Sequence, residues 1–224
     1  TTITYFDIWD YYTKKLFQEK FQTLQGSLNK TLEEAQKDYE SLSQELGIWM
    51  FFQDTYVMGP KDSLYQYFFG TKSNESRKIG ASLSPFKPSK GKGYKFIHKS
   101  LRDYFAAKYL MFELLDDKRK TPILPDQTID NTYDFNKKIF VNEELFLTLL
   151  ADQVKKNKKF EEKLFGIIED SKLDKTVQPA AANAISILNK AKVSFVGKDF
   201  RGITIIGADL SNSNLERTNF RFAN

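Results

Sequence analysis

His98 is the only histidine of this 224-residue chain and the side chain best suited to acid–base or ligand chemistry near neutral pH. It follows a strand-like run, Tyr94 to Ile97, and precedes a helical pattern that begins at Ser100. The sequence has no cysteine, which excludes thiol nucleophiles, disulfides and thiolate metal sites. One histidine without cysteine also provides no ligand cluster for a metal. His98 can be a structural hydrogen-bonding group or a donor to a ligand, and the pattern alone leaves both open.

Paired carboxylates occur at Asp116/Asp117, Glu143/Glu144 and Glu161/Glu162. Because adjacent side chains point in different directions on a helix, these pairs do not converge on one substrate. The sequence also lacks the G-x-x-x-x-G-K-[ST] loop that cradles nucleotide phosphates. We therefore predict that this chain is not an enzyme and binds no cofactor by itself.

A run of basic residues without an acid surrounds the histidine. Its members are Lys87, Lys90, Lys92, Lys95, Lys99 and Arg102. On a winged helix such a run could grip DNA phosphates. A solvated hairpin tip is the favoured alternative, because charge runs usually lie on solvated surfaces and base readout relies on arginine more than on lysine.

The elements that must position His98 begin with two capped helices. Thr4 with Asp7, and Thr31 with Glu34, match the capping-box spacing at the start of amphipathic runs. The run "SLYQYFFG" predicts a short third helix that ends at Gly70. The overall composition, 41% hydrophobic and 28% charged, is typical of a globular protein.

From Ile79 the apolar period changes from that of a helix to that of a strand. The runs "IGASLSPF" and "GYKFI", joined by "KPSKGK", predict a hairpin. Ser100, with Asp103 in the partner position, predicts the capped start of the next helix. Three helices, a hairpin wing and a further helix predict a winged-helix domain over residues 1–115.

A polar, proline-containing linker is predicted over residues 116–136, followed by a small helical-repeat connector over residues 137–192. The first connector helix is expected at residues 142–154 with Asn142 as its cap, and the second at 158–169. The third has Pro179 in its first turn, where the missing amide costs little. The whole chain is thus predicted to be mainly α.

Residues 193–224 divide into five-residue units, VSFVG KDFRG ITIIG ADLSN SNLER TNFRF, with a large apolar residue at each centre. The central residues are Phe195, Phe200, Ile205, Leu210, Leu215 and Phe220. This cadence resembles the pentapeptide-repeat family, which implies the start of a right-handed β-solenoid with central residues pointing inward. Small residues at the corners, as at Ala208, Ser213 and Thr218, fit that family; Val193, Lys198 and Ile203 do not. We expect the repeat to continue past Asn224.

The segment "YKFIHKSLRDYFAAKYL", Tyr94 to Leu110, resembles the winged-helix signature of NACHT-type STAND NTPases. Upstream, "ITYFDIWDYYTKKLFQEKFQTL" and "YESLSQELGIWMF" resemble the helices that follow the family's nucleotide-binding core. Downstream, the segments "LLADQVKKN" to "AAANAISILNKA" are similar to the connector that joins such proteins to pentapeptide repeats. Asp103 stands where the family usually has glutamate, which keeps the carboxylate.

In that family the histidine at the strand end contacts the β-phosphate of ADP and holds the closed state. The resemblance implies this nucleotide-binding role for His98, with ADP or ATP bound by a separate upstream module of the same polypeptide. It also implies signal transduction to protein partners through the repeats.

Three interpretations follow from the sequence: a regulatory and interaction segment of a STAND NTPase, a purely structural interaction scaffold, and a winged-helix nucleic-acid binder, which is the least favoured. The longest strongly apolar run, "LGIWMFF", is too short to cross a bilayer, so we expect no membrane partner. The absence of cysteine and of an export signal leads us to expect a cytoplasmic protein.

Overall fold

The computed structural model describes residues 2–70, 74–90, 93–116 and 134–224, and it is mainly helical. Its internal contacts divide these residues into two units. The first ends at Tyr109, and the second comprises residues 110–116 and 134–224. Most of the predicted linker, residues 116–136, lies outside the described residues.

Among the described residues, five α-helices and one hairpin begin in the first unit, with a short 3-10 helix over Gln25–Ser27 between the first two α-helices. They are α1 (Tyr5–Leu24), α2 (Leu32–Phe52), α3 (Tyr65–Phe68), α4 (Glu75–Leu83), β1 (Phe86–Ser89), β2 (Gly93–Phe96) and α5 (Ser100–Leu115). Both predicted capping boxes are present. Thr4 and Asp7 cap α1, and Thr31 and Glu34 cap α2, each by reciprocal hydrogen bonds.

The prediction of a strand over Ile79 to Leu83 is wrong, because these residues form the second half of α4. Asn74 caps this helix by accepting a hydrogen bond from the Arg77 amide. Gly80 brings α4 against α2, since a Cβ on Gly80 would lie 2.6 Å from the Asp38 carbonyl oxygen. Packing between helices has thus overridden a strand-like pattern. The predicted hairpin is present, but its first strand starts at Phe86.

The centre of the first unit lies where α2 and α5 approach most closely. Leu46 of α2 and Phe105 of α5 are buried there. The approach depends on Gly47, since a Cβ at this position would lie 2.8 Å from the Phe105 Cβ and 3.1 Å from the Ala106 amide nitrogen. Both neighbouring groups are fixed by the helix backbone, so a side chain could be accommodated only by moving α5.

Replacing Gly47 with alanine is therefore expected to lower the free energy of unfolding by about 1–2 kcal/mol, because overpacking outweighs the better helix propensity. Gly26→Ala in the same unit is the matched control, since no atom lies within 4 Å of its added Cβ. Urea unfolding of both variants measures the difference. A Gly47→Ala protein at least as stable as the wild type would contradict the packing argument.

The described part of the second unit contains three complete α-helices, α6 (Glu144–Val154), α7 (Lys158–Asp170) and α8 (Gln178–Lys190), and two short 3-10 helices, Asp134–Asn136 and Lys175–Val177. The predicted cap at Asn142 is wrong, because α6 is preceded by Glu143, which makes no side-chain cap. Asn157 caps α7, and Pro179 lies in the first turn of α8 as predicted. Asn183 of α8 is buried and bonds Phe135, Lys138 and Phe140 of the preceding segment through their backbone groups. These bonds satisfy a buried amide and hold that segment against α8.

Residues from 192 onward repeat one backbone conformation every five positions. Positive φ angles occur at Lys192, Gly197, Gly202, Gly207, Asn212, Arg217 and Phe222. In the first complete unit the Phe195 carbonyl accepts a hydrogen bond from the Lys198 amide at 3.0 Å, with Gly197 at φ +69° between them. A four-residue turn closed by this bond, with a positive φ at its third residue, is a type II turn. The five-residue sequence period is therefore a period of turns.

Successive stretches of this region pair in parallel. Asp199 forms a bridge with Asn219, twenty positions further on, which is four units of five residues. Phe195 and Phe200 are almost completely buried, whereas Leu215 is partly exposed. Ile203, whose size departs from the corner rule, is also completely buried.

Candidate functional site

A polar network joins α1, α2 and α5, the helix that begins two residues after His98. The Tyr104 hydroxyl of α5 donates to Asp10 Oδ1 of α1 at 2.8 Å. Lys108, one turn further along α5 and only 7% exposed, lies 3.3 Å from Asp10 Oδ1 and 3.6 Å from Glu40 Oε1 of α2. Lys14 completes the set at 2.7 Å from Asp10 Oδ2. The buried ammonium of Lys108 is thus balanced by carboxylates from two other helices.

The titration of this network follows from its geometry. Burial alone would raise the pKa of Asp10. The hydrogen bonds from Lys14 and Tyr104, together with the charge of Lys108, outweigh the effect of burial. The pKa of Asp10 therefore lies below its ordinary value of 3.8. Burial and the Asp10 charge raise the pKa of Tyr104, which keeps this hydroxyl a neutral donor. Asp10 is consequently ionised in the folded chain at neutral pH.

A carboxyl with a lowered folded-state pKa contributes stability above its unfolded-state pKa and loses it as the pH falls through the folded-state pKa. Asp10→Asn should therefore cost about 2 kcal/mol of unfolding free energy at pH 7 and weaken its decline below pH 3.8. Tyr104→Phe is the control, because it removes one hydrogen bond but keeps the carboxylate. Unfolding measured from pH 7 to pH 2.5 separates the two. An Asp10→Asn protein with the wild-type pH profile would contradict the assignment.

His98 lies at the surface where β2 leads into α5. Its Nδ1 accepts a hydrogen bond from the Ser100 amide at 3.2 Å, and its ring packs on Trp9 of α1 with centroids 5.3 Å apart. An accepting Nδ1 places the proton of the neutral ring on Nε2. No described residue bonds Nε2, and the side chain is exposed. The ring is therefore anchored on one edge and presents an N–H donor on the other.

The predicted cap at the start of α5 is consequently shifted. Ser100 is the first residue of α5, not the residue before it. The Ser100 amide donates a hydrogen bond to His98 Nδ1, so the side chain that bonds an amide at the start of α5 is His98. This bond from a side chain to the amide two residues on has the geometry that Asn and Asp make in Asx turns. His98 thus has a structural role, whatever else it binds.

Replacing His98 with alanine should lower the free energy of unfolding by about 1–2 kcal/mol, because both the Ser100 hydrogen bond and the Trp9 contact are lost. His98→Asn should recover the hydrogen-bonding part of this loss, since the asparagine oxygen can accept from the Ser100 amide. Chemical denaturation of the two variants gives the comparison. Equal stability of alanine and asparagine variants would show that the Ser100 bond contributes nothing.

The members of the basic run around His98 differ in their exposure. The prediction that Arg102 belongs to an exposed basic wing is wrong. Its side chain is only 3% exposed, and its Nε lies 2.8 Å from Asp103 Oδ1. Its guanidinium also stacks 3.9 Å above the Tyr56 ring. Lys92 lies outside the described residues. Asp103 is expected to complete the cap of α5, but its side chain forms an ion pair with Arg102. The sequence spacing could not predict this pair, because it depends on the rotamers of both side chains.

The adjacent carboxylates Glu143 and Glu144 have different partners. Glu143 pairs with Lys138, whereas its neighbour Glu144 pairs with Lys190 of α8. Asp117 lies outside the described residues. Within the described ranges, no group of three or more acidic or histidine side chains could hold a metal ion. None of the described helices has the length and apolar character needed to cross a bilayer.

Comparison with known proteins identifies the end of the chain. The family described as pentapeptide repeats (8 copies) matches residues 191–224, so the predicted repeat region is confirmed. The match covers the residues that carry the five-residue period of positive φ angles. No curated protein and no solved structure is significantly similar to the chain.

Proposed function

We propose that this chain is a non-catalytic regulatory and interaction segment of a NACHT-type STAND NTPase. In this proposal a winged-helix domain over residues 1–115 reads the ADP or ATP bound by a separate upstream module, and His98 is the residue that contacts it. The connector over residues 137–192 relays the state to the pentapeptide repeats, which form a platform for protein partners.

The observation that carries the proposal is the orientation of the His98 ring. Its Nδ1 edge is used by the Ser100 amide, and its exposed Nε2 edge carries a donor for which the described residues offer no acceptor. An imidazole N–H donates well to a phosphate oxygen, and the bond is strengthened when the ring is charged. A nucleotide held by another module would then join two domains through this contact. Exchange of ADP for ATP would change the contact and shift the domain arrangement.

The backbone supports the finer fold assignments in the proposal. Helices α1, α2 and α4, with the four-residue α3 between α2 and α4, precede the β1–β2 hairpin and α5, which fits the order of a winged helix. Type II turns at five-residue spacing and parallel pairing of residues twenty apart fit a square right-handed β-solenoid. Pentapeptide repeats often mediate protein–protein interactions, which supports the platform role.

A purely structural scaffold is the second candidate, and the attachment of the repeats to the connector favours it. The Ser171 and Ser186 hydroxyls accept hydrogen bonds from the Thr204 and Asp209 amides. Asn189 donates to the carbonyls of Asp209 and Ser211. Such bonds would hold a binding platform rigidly even without switching. Nucleic-acid binding is less well supported, because burial of Arg102 removes the arginine from the wing.

The sensing role is tested with His98→Asn in the parent polypeptide that carries the upstream module. Asparagine keeps the Ser100 hydrogen bond but removes the Nε2 donor, so we expect ADP affinity to fall about tenfold, as for one lost charge-assisted bond. Lys90→Ala on the hairpin is the control and should leave ADP affinity unchanged. Nucleotide affinity is measured by calorimetry.

Two results would reject the sensing role and favour the scaffold. One is an unchanged ADP affinity in the His98→Asn protein while its stability matches the wild type. The other is a parent polypeptide whose sequence before Thr1 has no intact phosphate-binding loop. Either would leave the repeat platform as the remaining function.

A further inference from the structure

A basic pocket opens at the base of the hairpin, and His98 does not line it. Its volume is about 260 Å³. The lining residues are Tyr56, Lys87, Lys95, Phe96, Ile97, Lys99 and Arg102. Four of these are cations and none is an acid, so the recess presents one sign of charge to whatever enters it.

Two of the lysines are placed in a way that costs stability. Lys87 of β1 and Lys95 of β2 are direct cross-strand partners in the antiparallel pair. Like charges directly opposite on a sheet repel each other and destabilise the pairing. Within the described part of the chain, Lys87, Lys95 and Lys99 form no ion pair with a carboxylate that would offset this repulsion. An anion in the pocket would relieve the repulsion.

Arg102 and Tyr56 contact each other in the lining of the pocket. Arg102 is buried, with its Nε 2.8 Å from Asp103 Oδ1, and its guanidinium carbon lies 3.9 Å from the centroid of the Tyr56 ring. Because Asp103 offsets the Arg102 charge, the three lysines supply the net positive charge. The amides at the start of α5 are already used, since those of Leu101 and Arg102 bond the His98 and Lys99 carbonyls. Recognition must therefore come from the lysine side chains, aided by the exposed Tyr56 ring.

We propose that this pocket binds a compact, multiply charged phosphate group, as in a phosphomonoester or diphosphate. The volume is below that of a typical drug-sized site, which suits a phosphorylated head rather than a large ligand. Lys90, nearer the hairpin tip, does not line the pocket, so the basic residues of the hairpin do not all face one ligand surface. A concave site of three lysines therefore favours a small phosphate group over a DNA duplex. This site is independent of the proposed nucleotide-sensing role, which uses the Nε2 edge of His98.

The test titrates the 224-residue chain with inorganic pyrophosphate at constant ionic strength, followed by calorimetry. We expect saturable binding of one pyrophosphate per chain. The Lys87→Ala/Lys95→Ala double variant should lose at least about tenfold in affinity, as charge-assisted bonds are removed. Lys90→Ala removes a charge from the same hairpin outside the pocket and should change affinity less than about twofold.

Folding of the double variant is checked by thermal unfolding. Removing the cross-strand repulsion should leave its melting temperature at or above that of the wild type. Loss of binding in a protein of unchanged melting temperature then belongs to the site. Pyrophosphate binding that is absent, or that weakens equally in Lys90→Ala and in the double variant, would overturn the proposal.

Two further arms identify the source of the phosphate and the competing partner. Co-sedimentation with vesicles that contain a phosphorylated inositol lipid, lost in the double variant, would support a headgroup. Saturable pyrophosphate binding without co-sedimentation would support a soluble ligand. The opposite outcome is duplex DNA that binds more tightly than pyrophosphate and loses as much affinity in Lys90→Ala as in the double variant. That result would indicate a nucleic-acid-binding surface and overturn the proposal.

Discussion

The ionised Asp10 carboxylate is the interaction on which the arrangement of the first unit depends. It accepts hydrogen bonds from the Tyr104 hydroxyl and the Lys108 ammonium, and it thereby joins two turns of α5 to α1. Without it, the ammonium of Lys108 would remain buried with Glu40 alone, at a cost that exceeds the contribution of an ordinary surface pair. Gly47 sets the other constraint, since it permits the close approach of α2 and α5.

These constraints place the groups that can act on a ligand. Trp9 precedes Asp10 on α1, so fixing α5 against α1 also brings the His98 ring onto Trp9. Packing on one face and the Ser100 hydrogen bond on one edge leave a single direction for the remaining N–H donor. At the base of the hairpin, Asp103 draws Arg102 into the interior and leaves three lysines at a recess. One short segment, residues 94–103, thus contributes residues both to the exposed His98 ring and to the basic pocket.

In the second unit, the helices adjoin the first units of the pentapeptide repeats. A coil of repeats needs a neighbour to cover its first turns and satisfy their backbone groups. Here Ser171, Ser186 and Asn189 of the helical part bond amides and carbonyls of residues 204–211. The helices thereby bond backbone groups of the first repeat units, and Phe195 and Phe200 of these units are buried.

Local signals in the sequence were sufficient for the features that depend on near neighbours. The capping boxes at Thr4 and Thr31, the turn of Pro179 and the pentapeptide period could all be predicted, because each rests on contacts within about five residues. Tertiary structure alone decided that residues 79–83 are helical, that Arg102 is buried against the Tyr56 ring, and that Asp10 bonds Tyr104 ninety-four positions away. The reason is physical: a burial pattern states that a side chain has a partner, but only the packed chain determines which groups come within hydrogen-bonding distance.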